Sequence, residues 1–446
     1  MNILIEKLKE YAEFPAIIWN DKFYSYNELF VKYNEALEFI HQKGVKEGEV
    51  VSLIGDFTPN TIALMFALIQ NNNIIVPFNS TIKNSEYVKM DIACVQKTIL
   101  VNVTNDNYSI ELRENQGEHS LYETIRARKK SGLVLFTSGT SGNPKGAVHD
   151  FSRLLAKFSI GRKSMSTVNF LLFDHWGGLN TMFHTLSNGG VVLTLRDRKP
   201  DSICAFIEKH KIELLPASPT FLNLMLMSEA NKRYDLSSLK LITYGTEPMP
   251  MSTLERLKKA FPEVKLQQTY GLIELGVMRS KSESDNSLWV KVGGEGFETR
   301  VHEGLLEIKA ESAMLGYLNA PSPFTEDGWF MTGDEVEVKG EYIRILGRKS
   351  EIINVGGEKV YPQEVENTIQ ELDNIAEVTV FGQKNPIMGN IVCAKIRLIS
   401  DEEKKVFVTR LKIHCKEKLQ SFKIPVKIII EDEPQFSERY KKKRQQ

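Results

Sequence analysis

Short apolar runs alternate with amphipathic stretches up to about residue 346; VSLIGD, TIALMFALIQ, NIIVPF and TILVNV follow one another in this way. This alternation predicts βα units and mainly parallel sheets. From about Ser350 the grain changes. IINVGGEKV, EVTVF, NIVCAKIRLI and KIIIE read as strands, and YPQEVENTIQEL reads as a helix whose proline suits the first turn. Val365, Ile369 and Leu372 recur there at i, i+4 and i+7. In a later helix Val408, Leu411, Cys415 and Leu419 share one face, which places Cys415 in a core. The predicted class is α/β, with a large N-terminal domain of mixed, mainly parallel sheets and flanking helices over 1–349. A small α+β domain follows over 350–446.

Composition narrows the possible partners. The chain has 446 residues, of which 42% are hydrophobic and 26% charged, enough for a large core and more than one domain. Its 57 basic and 57 acidic residues cancel, so no field of one sign draws it to nucleic acid or to an anionic membrane. A small, mobile substrate fits better. Four scattered cysteines form no CxxC pair, and neither a signal-peptide core nor a long apolar run is visible, so a soluble cytoplasmic protein without a membrane span is expected. The basic KKKR near the end reads as a solvated terminus.

The densest chemistry lies in LVLFTSGTSGNPKGAVH, where an apolar strand runs into Thr137, Ser138, Gly139, Thr140, Ser141, Gly142 and then Lys145. Glycines let backbone amides turn toward an anion, hydroxyls add donors and the lysine adds charge, so the loop suits phosphate. A Walker A loop is excluded, because Pro144 and Gly146 flank Lys145 where that motif needs glycine before and a hydroxyl after. Further on, TYGLIE sets the aromatic Tyr270 near the carboxylate of Glu274, a pairing suited to a purine and a magnesium ion, with a core tyrosine as the plain alternative. Asp334 closes the apolar run of GWFMTGD.

With these motifs in this order, the chain resembles the adenylate-forming superfamily of acyl-CoA synthetases, luciferases and peptide-synthetase adenylation domains. FDHWGGLNTMFHTLSNGG, LLPASPTFLNLML, YGTEPMP, QQTYGLIELG, GLLEIKAESAMLGYLN, GWFMTGD and GRKSEIINVGGEKVYPQEVE continue the resemblance along nearly the whole chain. It implies a two-step ligase. ATP and a carboxylic acid give an acyl-adenylate and pyrophosphate, and the acyl group then passes to coenzyme A. Phosphopantetheine on an acyl carrier protein is the alternative acceptor, and a catalytically weakened nucleotide-binding regulator is a further alternative. A monomer or homodimer is expected.

The resemblance also assigns roles. The phosphate loop, Thr246, Glu247, Pro248, Thr269, Tyr270 and Gly271 fall to the nucleotide, Asp334 to the ribose hydroxyls, and Arg348 to ribose or phosphate. Glu274 and Thr140 fall to Mg2+. Asp174, His175 and Gly178 border the acyl pocket, with His175 moving between half-reactions. Ser350 stands at the hinge about which the small domain rotates, and Gly356 and Gly357 at the thiol tunnel, where a plain hairpin turn is the rival reading. Lys441 is the expected catalytic lysine that bridges the carboxylate and the α-phosphate. Three departures stand out: Ile273 replaces a threonine, Ser350 replaces aspartate or lysine, and Tyr440 replaces the glycine before the lysine. A tyrosine lacks glycine's φ freedom, so a different backbone is expected there, with Lys442 or Lys443 as substitutes for Lys441.

Overall fold

The computed structural model describes residues 2–137, 143–386, 388–437 and 440–442. Among these, one seven-stranded sheet runs in the order Lys265–Gln268, Leu241–Tyr244, Leu214–Ala217, Ser166–Val168, Val191–Thr194, Pro15–Trp19 and Lys22–Ser25. It is parallel except for its terminal hairpin. A second runs Gly316–Tyr317, Lys145–Asp150, Gly132–Thr137, Ile74–Asn79, Val50–Gly55, Lys97–Val101 and Tyr108–Leu112. Its middle is parallel and its edges antiparallel. The expectation of mainly parallel sheets holds for the first; the second has three parallel and three antiparallel pairings.

Burial explains the continuous apolar runs. Val50–Gly55 is buried at every position, and the helix Pro59–Gln70 is buried from Pro59 through Ile69, apart from Asn60. Thr58 caps that helix by accepting the Thr61 amide, and Pro59 occupies its first turn. Its Phe66 stacks on Phe183 of the helix Trp176–Ser187, and one core joins Leu53, Ile75 and Leu135 of the second sheet to Ile17 and Val192 of the first. The two sheets thus share a helical layer, which fixes the strand ends relative to each other.

A six-stranded antiparallel sheet built from residues 279–348 follows, with Phe330–Lys339 paired to Tyr342–Arg348. Asp334 does not end its strand as its sequence position suggested. The strand continues to Lys339, because the turn at Gly340 lets Val336 and Val338 pair with Ile345 and Ile343. The last sheet holds Glu358–Val360, Ile353–Val355, Gly389–Leu398, Ile375–Asn385 and Lys427–Ile430. Its core contains Val365, Ile369, Leu411 and Cys415, as the helical periodicity predicted; Val408, Leu419 and Leu372 pack at its margin. The helix itself spans Pro362–Gln370.

Candidate active site

The phosphate loop spans the gap between two antiparallel strands, Gly132–Thr137 and Lys145–Asp150, with Thr137 paired to Lys145. Ser138, Gly139, Thr140, Ser141 and Gly142, and with them the expected magnesium ligand Thr140, lie outside the described residues. The exit of the loop is clamped from a distant segment. Asn319 Oδ1 accepts the Gly146 amide at 3.1 Å, and Asn319 Nδ2 donates to the Pro144 carbonyl at 2.9 Å. Gly146 is closely packed: a Cβ would lie 2.9 Å from a Leu318 methyl and 3.2 Å from the Phe136 ring, so those side chains would have to shift. Lys145 Nζ stands 5.5 Å from the centre of the Tyr317 ring, within cation–π range.

Tyr317 links that lysine to Glu274, since its hydroxyl donates to Glu274 Oε1 at 2.6 Å. The strand Gly316–Tyr317 pairs with Ala147 and Val148, so the Glu274 contact is held by the same sheet that carries Lys145. Nearby, the Tyr270 hydroxyl donates to Asp334 Oδ2 at 2.5 Å. Asp334 faces Arg348 across the strand pair, with Arg348 Nε 3.4 Å from its Oδ1. Burial raises the Asp334 carboxyl above the usual aspartate range, against the opposing pull of Arg348 and the Tyr270 hydroxyl. Partial desolvation opposes the charge of the surface-reaching Arg348, but Asp334, Tyr270, Glu274 and Glu351 together raise its pKa. Lys145, Tyr317 and Glu274 thus form one polar group and Arg348, Asp334 and Tyr270 a second, which the charge of Glu274 reaches through its electrostatic pull on Arg348.

The segment Tyr244–Pro248 leaves a parallel strand end and passes very close to Thr269. A Cβ on Gly245 would meet Thr269 Oγ1 at 2.4 Å, so only glycine fits. Thr246 is held at φ +74°, an outlying conformation for a β-branched residue and typical of strained ligand-binding turns. Glu247 turns away from this loop: its Oε1 accepts the Thr220 amide at 2.8 Å and its Oε2 accepts the Lys442 amide at 3.3 Å.

His175 caps the helix Trp176–Ser187. Its Nδ1 accepts the Gly177 amide at 3.0 Å, which leaves the proton on Nε2 when the ring is neutral. Asp174 and His175 are half-buried, and Gly178 lies against the Leu172 carbonyl, where a Cβ would come within 2.4 Å.

On the small unit, Ser350 is exposed in the single turn Lys349–Glu351 that follows Arg348. Gly356 and Gly357, at φ +60° and +94°, form the two-residue turn of a hairpin whose Gly356 amide donates to the Met388 carbonyl at 2.8 Å. Both are exposed. Lys441 follows Tyr440 in a turn closed by the Ser437 amide on the Lys441 carbonyl at 2.9 Å. The expected change of backbone at Tyr440 does not occur. Tyr440 keeps φ +50°, the left-handed region that glycine favours, because its side chain is fixed by other contacts. Lys442 Nζ is engaged with the fully buried Glu366 at 2.8 Å, and Lys443 lies outside the described residues.

The sequence model of the AMP-binding enzyme family matches residues 4–295, and that of the AMP-binding enzyme C-terminal domain matches 364–436. The chain belongs to the AMP-binding enzyme family. It is 29% identical to a substituted-indenyl propanoyl:CoA ligase of Rhodococcus jostii, over 66% of this chain and 60% of that protein. It is 26% identical to the 2-succinylbenzoate–CoA ligase of Listeria monocytogenes over 96% of this chain and 95% of that one. The fold is that of an anthranilate CoA ligase in complex with anthranoyl-AMP, with a TM-score of 0.83 at 19% identity, over 99% of this chain and 95% of that chain.

In this AMP-binding enzyme the fold brings together two residues that sequence reasoning passed over, Tyr317 and Asn319. They sit in GYLN, within a segment that carries the resemblance, but nothing in their spacing says that they reach Glu274 and Gly146. Ile273, in place of threonine, packs between two apolar cores, so its extra carbon is used in packing. The donor set around Glu274 is compatible with magnesium, which prefers one or two carboxylates together with substrate phosphates over a cage of protein ligands. Among the described residues, no helix is long and apolar enough to cross a membrane.

Proposed function

We propose that this enzyme activates a small carboxylic acid with ATP and passes the acyl group to coenzyme A, using the residues described above. The reading rests chiefly on two polar groups, Lys145 with Tyr317 and Glu274, and Arg348 with Asp334 and Tyr270, which sense each other electrostatically through Glu274 and Arg348. They offer a cation and a carboxylate on the side of the phosphate loop, and a carboxylate with a guanidinium some way along for ribose. Nucleotide recognition needs that order of groups.

In the first step a substrate carboxylate oxygen bonds to the α-phosphorus of ATP while the bond to the β-phosphate oxygen breaks and pyrophosphate leaves. Negative charge gathers on the α-phosphate oxygens, so positioning and positive groups supply the rate rather than a general base. Lys145 serves the departing phosphates and Lys441 the reacting carboxylate and α-phosphate. Glu274, with the loop hydroxyl of Thr140, would hold magnesium, which when bound neutralises phosphate charge. Asp334, kept next to Arg348, accepts from the ribose hydroxyls, and Thr246 with Tyr270 and Gly271 borders the base.

In the second step the thiol sulfur bonds to the acyl carbonyl carbon, the bond to the AMP oxygen breaks, and the thiol proton goes to solvent. Rotation about Ser350 would bring Gly356 and Gly357 to the acyl carbonyl. The exposure of Ser350 and of that hairpin supports this role. The half-buried Asp174 and His175 border the acyl group. ATP–pyrophosphate exchange measured over a panel of carboxylic acids tests the first step, and exchange with none of them would sink the proposal. Supplying coenzyme A and a phosphopantetheinylated carrier protein in parallel tests the second; thioester formed only on the carrier would refute coenzyme A as acceptor.

A further inference from the structure

Tyr440 stands where the family resemblance expects a glycine, and it is also where the small unit grips the large one. Its backbone sits at φ +50°, a costly place for a bulky residue, which persists only if its surroundings over-determine it. They do so through both ring and backbone. The ring packs edge-on against Phe221 at 5.3 Å between centroids and against Phe170 at 6.3 Å, and it stacks on Phe436 at 5.2 Å. The hydroxyl donates to the Arg198 carbonyl at 2.7 Å. The Tyr440 carbonyl accepts the Ser218 hydroxyl at 2.8 Å.

The socket is itself rigid. Arg198 is clamped by both oxygens of the buried Asp56, at 2.6 and 2.8 Å, and Phe170 and Phe221 are buried in the core of the first sheet. On the far side of Lys441, the Lys442 amide donates to Glu247 of the large unit while its ammonium pairs with Glu366 of the small one. Lys441 therefore has a tether to the large unit on each side. Of the two, only Tyr440 inserts a side chain into that unit's core. Burial raises its phenol pKa, so it docks as a neutral donor.

We infer that Tyr440 is a positioning residue, an aromatic anchor that seats Lys441 for adenylate formation and leaves its socket before the thiol step. This rests on the reading of Lys441 proposed above. The anchor replaces a glycine's flexibility with a docked side chain, so the two arrangements of the small unit are separated by extraction of a ring rather than by free rotation alone.

The full-length enzyme and an acid that it accepts provide the test. Tyr440→Ala is expected to lower ATP–pyrophosphate exchange by about tenfold to a hundredfold, the scale of a mispositioned catalytic group, without an equal fall in transfer from supplied acyl-adenylate to coenzyme A. Tyr440→Phe, which keeps the ring, retains most of the exchange rate. Tyr440→Gly relieves the backbone but removes the anchor, so it should behave like Tyr440→Ala. Exchange at the wild-type rate in Tyr440→Gly, or equal loss of both half-reactions in Tyr440→Ala, overturns the inference. A second measurement needs no acid: hydrogen exchange over Pro219–Met227, the helix that the ring covers, should quicken in Tyr440→Ala and not in Tyr440→Phe. Unchanged protection there overturns the anchor whatever the enzyme's substrate, whereas a wild-type enzyme that exchanges with no acid while this protection does respond refutes only the adenylation reading.

Discussion

At the scale of single residues, the site is organised around carboxylates that are buried but engaged. Asp334 carries a cost of burial that the Tyr270 hydroxyl and Arg348 only partly offset, so it is poised to accept further donors. Two ribose hydroxyls would supply them. Asp334→Ala is expected to raise the KM for ATP by about tenfold to a hundredfold, since a hydrogen bond to a charged group contributes about 1.5–3 kcal/mol. Steady-state kinetics with ATP varied checks this, and an unchanged KM would remove Asp334 from the nucleotide site. Glu247 shows a structural role that its motif does not announce. The resemblance assigns it to the nucleotide, and its side chain also accepts two backbone amides from other segments.

At the scale of elements, the phosphate loop follows a different plan from a strand leading into a helix. Its two flanking strands, Gly132–Thr137 and Lys145–Asp150, are antiparallel partners, so the chain leaves the loop as a strand rather than as a helix. Its exit is steadied by Asn319, which bonds both sides of Lys145. Asn319→Ala removes both bonds at an exposed position, so stability should fall by only about 1–2 kcal/mol. The KM for ATP should rise several-fold because the lysine loses its fixed origin. Denaturant unfolding and ATP kinetics measured on the same variant distinguish this from a fold defect: a KM at the wild-type value would show that Lys145 is held without Asn319.

At the scale of the whole molecule, acid should loosen the large unit from within. His149 lies in the strand that leaves the phosphate loop and is fully buried; desolvation pushes its pKa down from 6.5 to about 4, with the backbone of Ile273 and Ser312 only partly offsetting this. An unfolded imidazole takes up its proton near pH 6.5, so between there and about pH 4 the unfolded chain binds more protons than the folded one. Stability present above pH 6.5 is therefore lost as the pH falls through that window, by about 3 kcal/mol for this residue. Thermal melts at pH 7 and pH 5 should show the loss, and His149→Gln should flatten it. An equal acid shift in the variant would place the sensitivity elsewhere.

The sequence alone determined the βα grain, the change of grain near Ser350 and the glycine- and hydroxyl-rich run at residues 137–146 on which the phosphate proposal rests, because periodicity and local turn chemistry are properties of neighbouring residues. The helix faces of the small unit were legible for the same reason. Only the tertiary structure decided that Tyr317 reaches Glu274, that Asn319 clamps Gly146, and that Lys442 is committed to Glu366. Each of those contacts joins residues far apart in the chain, and no local pattern encodes them. Tyr440 shows the same limit at one position. Its side chain forbids glycine's backbone on local grounds, yet a socket formed by Phe170, Arg198, Ser218 and Phe221 holds it there, because the packing of a distant core outweighs the preference of one φ angle.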